Sequence, residues 1–286
     1  MSVEIIRQRI DALGSVSAQE QHHRVREILQ EIALSGLARA DFFRQAAFHG
    51  GTCLRVLHHM RRFSEDLDFI LKSPDPDFRW SPYEDGLAAE FRVFGIDLEI
   101  RQRPAPGAIA SVWLKDQSLG RLLNLQHPLR SGQKIIVKLE VDTRPPLGSS
   151  FQIAYLDFPV PFSVLALDLR SGFANKIHAL LCRKYVKGRD WFDFTWYLAQ
   201  QIHPTLALLE NAIAQQGPWA GQRIPFDDDW LLEKMQERIE SIDWQEARRD
   251  VERFLGEPEL SGLTVWGVEF FMAQHAKLAG LLAGAS

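Results

Sequence analysis

Cysteine is nearly absent: Cys53 and Cys182 are the only two in 286 residues, far apart and in no Cys-x-x-Cys pair. That excludes a disulfide framework and a cysteine zinc site, and both are expected as reduced thiols packed as small hydrophobes. No apolar run approaches the ~20 residues that a membrane-spanning helix needs. The stretch from Met1 to Arg9 lacks the basic-then-apolar build of a secretory signal, so a cytoplasmic protein with no membrane contact is expected. No charge of one sign dominates, with 33 Lys and Arg against 37 Asp and Glu. A formal net charge of -4 argues against a generally basic, DNA-coating protein but leaves room for a local basic groove. The chain contains no Gly-x-x-x-x-Gly-Lys-Ser/Thr, His-Glu-x-x-His or Gly-x-Ser-x-Gly, which removes the motifs of P-loop ATPases, zincins and α/β-hydrolases. Glycine (19) and proline (14) are too few for a disordered or fibrous chain, and 46% hydrophobic residues suffice for a buried core.

The patterning that is present divides the chain. Val25, Ile28, Leu29, Ile32 and Leu37 recur at helical spacing over 18–37, with a stop expected near Gly36. A short strand at 45–49 then meets Gly50-Gly51, and Leu54, Leu57 and Met60 continue as a helix. Leu67, Phe69 and Leu71 alternate with Asp66, Asp68 and Ile70, the period of a half-buried strand that puts the two aspartates on one face. A helix over 82–94 follows, then strands at 96–101 and 110–116. In a further strand at 134–142, Ile135, Val137, Leu139 and Val141 face one way and Lys138, Glu140 and Asp142 the other. Prolines and glycines break regular structure over 144–162, where a lobe boundary is expected. From Asp168 the periodicity is helical, over Phe173–Leu181, Trp191–Leu198, 204–215, 229–255 and 261–283. The expectation is a first lobe of residues 1–160 and a helical lobe of 161–286. Charge is segregated as well: residues 227–259 hold 12 acidic and 5 basic side chains, which leaves the remainder mildly cationic.

The chemistry concentrates in Gly50-Gly51-Thr52 and Ser64-Glu65-Asp66-Leu67-Asp68. A glycine pair between strand and helix lets the backbone approach a phosphate, and the helix start turns free N–H groups toward it. Aspartates at i and i+2 on one strand face are costly side by side unless a cation neutralises them. Mg²⁺ suits such hard oxygen ligands and bridges carboxylates to phosphates. A third carboxylate, Glu140 or Asp142, would complete a site for two metal ions that activates an attacking hydroxyl and steadies a departing pyrophosphate. A lone Gly-Gly is usually a turn and a lone Asp-x-Asp a solvated edge; the ordered combination carries the signal.

Phe48-His-Gly-Gly-Thr-Cys-Leu-Arg55 followed by Arg62-Phe-Ser-Glu-Asp-Leu-Asp68 resembles the signature of the AbiEii/AbiGii toxin family, within the DNA polymerase β-like nucleotidyltransferase superfamily. Lys138-Leu-Glu140 resembles that family's third-carboxylate strand. Lys176-Ile-His-Ala-Leu180 and Arg189-Asp-Trp-Phe-Asp193 resemble its two downstream motifs. The resemblance implies an α+β fold, with a polymerase-β-like mixed sheet flanked by helices and a helical C-terminal lobe. It also implies an Mg²⁺-dependent nucleotidyltransferase acting as the toxin of a toxin–antitoxin or phage-defence system.

In that reading Asp66, Asp68 and Glu140 bind two Mg²⁺ ions, with Glu140 as third ligand or base. Gly50, Gly51, Thr52 and Ser64 line the triphosphate. Lys176 holds a phosphate, and Asp190 or Asp193 positions Lys176, Arg189 or the base. Arg55 and Arg62 are the nearest cations to the cradle and steer the nucleotide. The substrate is an NTP, the implied acceptor is RNA, with a tRNA 3′ end foremost, and a cognate antitoxin is the implied protein partner. Protein- or self-directed nucleotidylation, kinase-like phosphotransfer and an inactive nucleotide- or partner-binding module are the rivals.

The remaining features read more plainly. Arg183, Lys184 and Lys187 could flank a phosphate-rich substrate, and a solvated basic face is the plainer reading. Trp191, Phe192, Phe194, Trp196 and Tyr197 read as core packing. His22-His23 and His58-His59 are adjacent pairs that cannot face the same way on a helix, which disfavours a metal site there.

Overall fold

A computed structural model describes residues 2–12, 14, 16–103, 108–116, 125–128 and 134–284. The helices are α1 (Ser2–Asp11), α2 (Ala18–Arg39), α3 (Gly50–His58), α4 (Ser81–Val93), α5 (Leu169–Cys182), α6 (Gly188–Ala199), α7 (Leu206–Gln215), α8 (Asp228–Ser241), α9 (Trp244–Glu252), α10 (Glu257–Leu260) and α11 (Val268–Ala283). The strands are β1 (Ala46–His49), β2 (Asp66–Leu71), β3 (Leu98–Arg103), β4 (Ile109–Asp116), β5 (Ile135–Asp142), β6 (Phe151–Leu156) and β7 (Phe162–Leu167). Among the described residues no helix is long and apolar enough to cross a membrane.

The chain forms two compact units. The first comprises Met1–His59, Phe63–Pro145 and Phe151–Ala166; the second comprises Met60–Arg62, Pro146–Ser150 and Leu167–Ser286.

The first unit is built on a seven-stranded sheet of order β3-β4-β5-β2-β1-β7-β6. Pairing is mixed: β5 with β2 and β1 with β7 are parallel, while β3 with β4, β4 with β5 and β1 with β2 are antiparallel. The alternation read from the sequence fixes its faces. Leu67, Phe69, Val137, Leu139 and Val141 are all at most 1% exposed and join one core with Ile28, Leu29, Ile32 and Leu37 of α2 and Leu87 and Phe91 of α4. Ser17 caps α2 by accepting from the Glu20 N–H at 3.1 Å. The helix runs through Gly36 to Arg39, because full burial of Leu37 outweighs the poor helix propensity of glycine.

The strand β6 occupies a stretch expected to be irregular, and β7 begins where that stretch ends. Pro159 and Pro161 lie in the turn between them, outside the hydrogen-bonded ladder, and β7 pairs with β1 through Phe48 and Ala166. β6 is an edge strand with Ile153 and Tyr155 exposed, so it lacks the buried alternation by which a strand is recognised.

A cavity of about 920 Å³ in this unit is lined by Arg9, Glu31, Arg55, Tyr155 and Asp157 among others. The Glu31 carboxyl is pushed up to about 7 by burial, which outweighs the pull of Arg9; Glu27 and Asp157 add to the rise.

The second unit is helical. Its core stacks Trp244 on Phe271 with centroids 4.0 Å apart and Phe173 on Tyr197 at 4.8 Å. Trp191 and Phe194 are buried with them, as core packing requires, and the long helical stretch expected over 229–255 is two helices, with Asp243 capping the second. The short segment Met60–Arg62 belongs to this unit through one buried ion pair. Arg62 is 2% exposed, and its Nε and Nη2 donate to the two carboxylate oxygens of Asp193 at 2.5 and 2.7 Å.

Two stability measurements follow from these buried charges. Removing Arg62 leaves Asp193 buried with only half its compensation, so Arg62→Ala is expected to destabilise the protein by about 3 kcal/mol in denaturant titration. An unchanged midpoint would refute the role given to this pair. Because the folded-state pKa of Glu31 lies above its ordinary value, the folded protein binds the extra proton, and stability falls as pH rises from about 4.5 through 7. The wild type is expected to lose ~2 kcal/mol between pH 5 and 8 that Glu31→Gln keeps. Parallel pH profiles of the two proteins would argue against a protonated Glu31.

Candidate active site

The carboxylates converge because of strand register. In the parallel pair of β2 and β5, Asp66 lies opposite Lys138 and Asp68 opposite Glu140. On the flanks, Ser111 of β4 lies opposite Glu140, and His49 of β1 lies opposite Asp68. One polar face of the sheet therefore carries Ser111, Glu140, Asp68 and His49 in a row, with Asp66 and Lys138 beside it. Asp142 stands opposite Ile70, and its carboxylate accepts the Arg144 N–H at 2.9 Å. The register thus sets Glu140 against Asp68 and gives Asp142 a local turn to hold.

The electrostatics are those of crowded negative charge. The Asp66 carboxyl is pushed up to about 6, first by burial and then by Asp68, with Glu140 adding to the rise and Lys138 opposing it. Glu140 is engaged by Lys138 Nζ at 2.6 Å and accepts from Ser111 Oγ at 3.2 Å. Lys138 also lies 5.6 Å from the Trp113 ring centre. Among the described residues, no group of three or more His, Cys, Asp or Glu side chains is closed tightly enough to hold a metal ion as it stands. The donor set nevertheless suits a hard divalent cation, with three carboxylates on adjacent strands, one of them disfavoured in its charged form.

Above the carboxylates lies the start of α3. Both glycines fall inside its first turn rather than in a turn ahead of it. Gly50 has φ +78°, and a Cβ there would come within 2.5 Å of an Asp68 carboxylate oxygen. Only glycine allows the helix start and the carboxylate to approach so closely. His49, at the N-cap, contributes no side-chain cap, so the first-turn N–H groups of α3 face the same region as Asp68. The Thr52 side chain is fully buried, and its hydroxyl donates to the Asp66 carbonyl, pinning α3 to the beginning of β2. Thr52 can therefore offer an anion its backbone N–H and not its hydroxyl.

Other expected residues have different neighbours. Ser64 is held by its carbonyl, which accepts from the Gln30 side chain at 3.1 Å; the same amide donates to the Glu65 carbonyl at 2.9 Å. Gln30 is fully buried on α2 and fixes the approach to β2, a role that helical spacing alone does not reveal. Arg55 is committed to Glu27, with Nε to Oε1 at 2.5 Å, lies 4.5 Å from the Phe63 ring centre, and lines the cavity described above. None of Asp66, Asp68 and Glu140 lines that cavity, which sets Arg55 apart from the carboxylate face. Arg62, expected to steer a nucleotide, is instead consumed by Asp193 in the core of the second unit. Its cationic head is buried and cannot meet a ligand arriving from solvent.

Within the second unit, the two downstream motifs form one network. Lys176 Nζ lies 2.7 Å from Asp190 and 2.8 Å from Asp193, and Arg183 Nε lies 3.3 Å from Asp190. Burial alone would raise both aspartates; the facing cations outweigh it and hold each below its ordinary value. Lys176 is held above its own, the two carboxylates overcoming burial. Arg189 pairs with Asp250 at 3.6 Å and lies over the Phe254 ring at 4.2 Å.

JHP933 from Helicobacter pylori is 17% identical, with 94% of this chain and 93% of that one covered, at a TM-score of 0.48. MenT4, a nucleotidyltransferase toxin from Mycobacterium tuberculosis, is 15% identical, with 97% and 99% covered, at a TM-score of 0.49. No curated protein matches the chain. The family model described as nucleotidyl transferase AbiEii toxin, Type IV TA system, matches residues 32–273, a span that contains the β2 and β5 carboxylates and the whole ion-pair network of the second unit. The chain belongs to the AbiEii family of nucleotidyltransferase toxins.

Proposed function

We propose that the protein transfers a nucleoside monophosphate from an NTP to an RNA hydroxyl, with a tRNA 3′ end as the leading acceptor, and that Asp66, Asp68 and Glu140 hold Mg²⁺ for this reaction. The observation that carries the reading is the register that sets Asp68 against Glu140 and beside Asp66, directly beneath the glycine-opened start of α3. Bound there, Mg²⁺ would supply charge neutralisation for the triphosphate and lower the pKa of the attacking hydroxyl.

The chain's own groups do the remaining work. The N–H groups of Gly50, Gly51 and Thr52 receive phosphate oxygens at the positive end of the helix. Lys138 occupies Glu140 as an ion pair until a stronger cation competes for it. The acceptor oxygen forms a bond to the α-phosphorus as the bond to pyrophosphate breaks, and its proton passes to a carboxylate of the site. Lys176, aimed by Asp190 and Asp193, is the phosphate-contacting lysine that the family resemblance implies, and Arg189 is held beside them by Asp250. A cognate antitoxin is the protein partner that a Type IV system implies.

Two experiments test the reading. Purified protein incubated with cellular RNA and α-labelled or γ-labelled NTP is expected to transfer the α-label alone. An Asp66→Asn, Asp68→Asn protein should be at least ~100-fold slower. Transfer of the γ-label would show a kinase instead, label on protein would redirect the acceptor, and equal rates in the variant would sink the carboxylate assignment. Independently of turnover, Mg²⁺ should raise the melting temperature of the wild type and leave that of the double variant unmoved. Equal shifts in both would place the ion elsewhere.

A further inference from the structure

The loop between α5 and α6, Arg183-Lys184-Tyr185-Val186-Lys187, presents an arrangement that the family motifs on either side do not include. Tyr185 is 61% exposed, although tyrosine rings ordinarily bury most of their area. It is held in that position: the Arg183 guanidinium lies 5.0 Å from its ring centre, and Arg183 Nη1 donates to its hydroxyl at 2.5 Å. Arg183 is itself anchored on the buried Asp190 at 3.3 Å, so the ring is tied to the core through one intermediary. An aromatic face kept in solvent by a fixed cation has little conformational freedom left to lose on stacking.

Positive charge also gathers at the end of the loop, where Arg183, Arg189 and Lys176 act on Lys187 against Asp190. Asp190 is already engaged by Lys176 and Arg183, and Lys187 has no ion pair of its own among the described residues. The Lys187 ammonium is accordingly held below its ordinary value, by burial first and by Arg183, Arg189 and Lys176 in addition, with Asp190 pulling the other way. Its backbone is fixed by the next residue: a Cβ on Gly188 would strike the Ala247 carbonyl oxygen at 1.8 Å, so α6 begins in close contact with α9. Lys184 adds an exposed cation. A rigid ring flanked by under-compensated cations is suited to a flexible polyanion whose bases are free to stack, since every base has a face for the ring and every linkage a charge for the lysines.

We infer that the α5–α6 loop is a contact for single-stranded RNA, with Tyr185 as the stacking platform for one base and Lys187 as the cation for the adjoining phosphate. The inference rests on the RNA-acceptor reading above and locates part of that recognition in the second unit. An acidic protein surface would satisfy the lysines but give the exposed ring no comparable partner.

The test is fluorescence anisotropy of the full-length protein, without NTP, against a short labelled single-stranded oligoribonucleotide and the same strand annealed to its complement. The single strand is expected to bind more tightly. Tyr185→Ala should weaken it about tenfold and Tyr185→Trp should preserve it. Lys187→Ala should reduce the slope of log affinity against log salt by about 0.7, one phosphate's share on a single strand. Melting temperatures equal to wild type would show that these loop variants fold. Wild-type affinity in Tyr185→Ala, or equal binding of duplex and single strand, would overturn the assignment. So would displacement of the oligonucleotide by a poly-glutamate peptide whose own binding falls equally in Tyr185→Ala, since the loop would then be a protein contact. The Asp66→Asn, Asp68→Asn protein should bind as wild type does, so loss of nucleotidyl transfer as an activity and loss of the loop contact are read separately.

Discussion

The pairing of β2 with β5 places like charges opposite each other, and most of the first unit can be understood from that constraint. Asp68 faces Glu140 across the ladder and Asp66 lies two residues away on the same face. Carboxylates opposite each other in a sheet are destabilising, so the fold needs other interactions to hold this register. It finds them on the reverse face, where Leu67, Phe69, Leu139 and Val141 are buried in one core with residues of α2 and α4. A slip of one residue would turn those side chains to the polar side, a far larger loss than the repulsion it would relieve. The hydrophobic face thus fixes the geometry of the charged one. Lys138 eases the remaining repulsion by occupying Glu140.

The second unit solves the opposite problem, that of burying charge deep in a helical core. Asp193 is fully buried and is bracketed by Arg62 and Lys176; Asp190 is bracketed by Lys176 and Arg183. Alternating signs along this chain of groups let each carboxylate keep its charge where burial alone would neutralise it. The geometry is specific, because an arginine fork meets both oxygens of one carboxylate while the single ammonium of Lys176 is shared between two. The residues of the downstream motifs are therefore held rigidly whatever ligand they meet.

Much of this was legible in the sequence where one face of an element is buried and the other is not. The alternation in β2 and β5 told which residues share a face, and the order of motifs told the family. The structure adds what periodicity cannot carry. β6 was invisible because an edge strand has no buried side to alternate with, and β7 because its prolines adjoin it. Arg62 stands next to the glycine cradle in sequence, yet its partner is 131 residues away, and nothing local announces that. The family resemblance implies Thr52 as a phosphate ligand, but its hydroxyl is used on the Asp66 backbone. Glu140 and Asp142 share a strand face, and only the register shows that Glu140 is the one opposite Asp68.

The division of the chain bears on how the protein comes into being. The boundary between units is crossed at His59, Arg62, Pro145, Ser150 and Ala166, so neither unit is one uninterrupted stretch of chain. During synthesis the sheet lacks β7 beside β1 until Leu167 has emerged, and Arg62 waits for Asp193. Such non-local closure is slow and commits late. A nascent chain of this design carries its carboxylates and glycines long before they are locked in place, and a truncated product lacks the partners that would lock them. For a member of a toxin family, that ordering means that the sheet carrying the carboxylates gains its β7 pairing only well after the carboxylates themselves have been made.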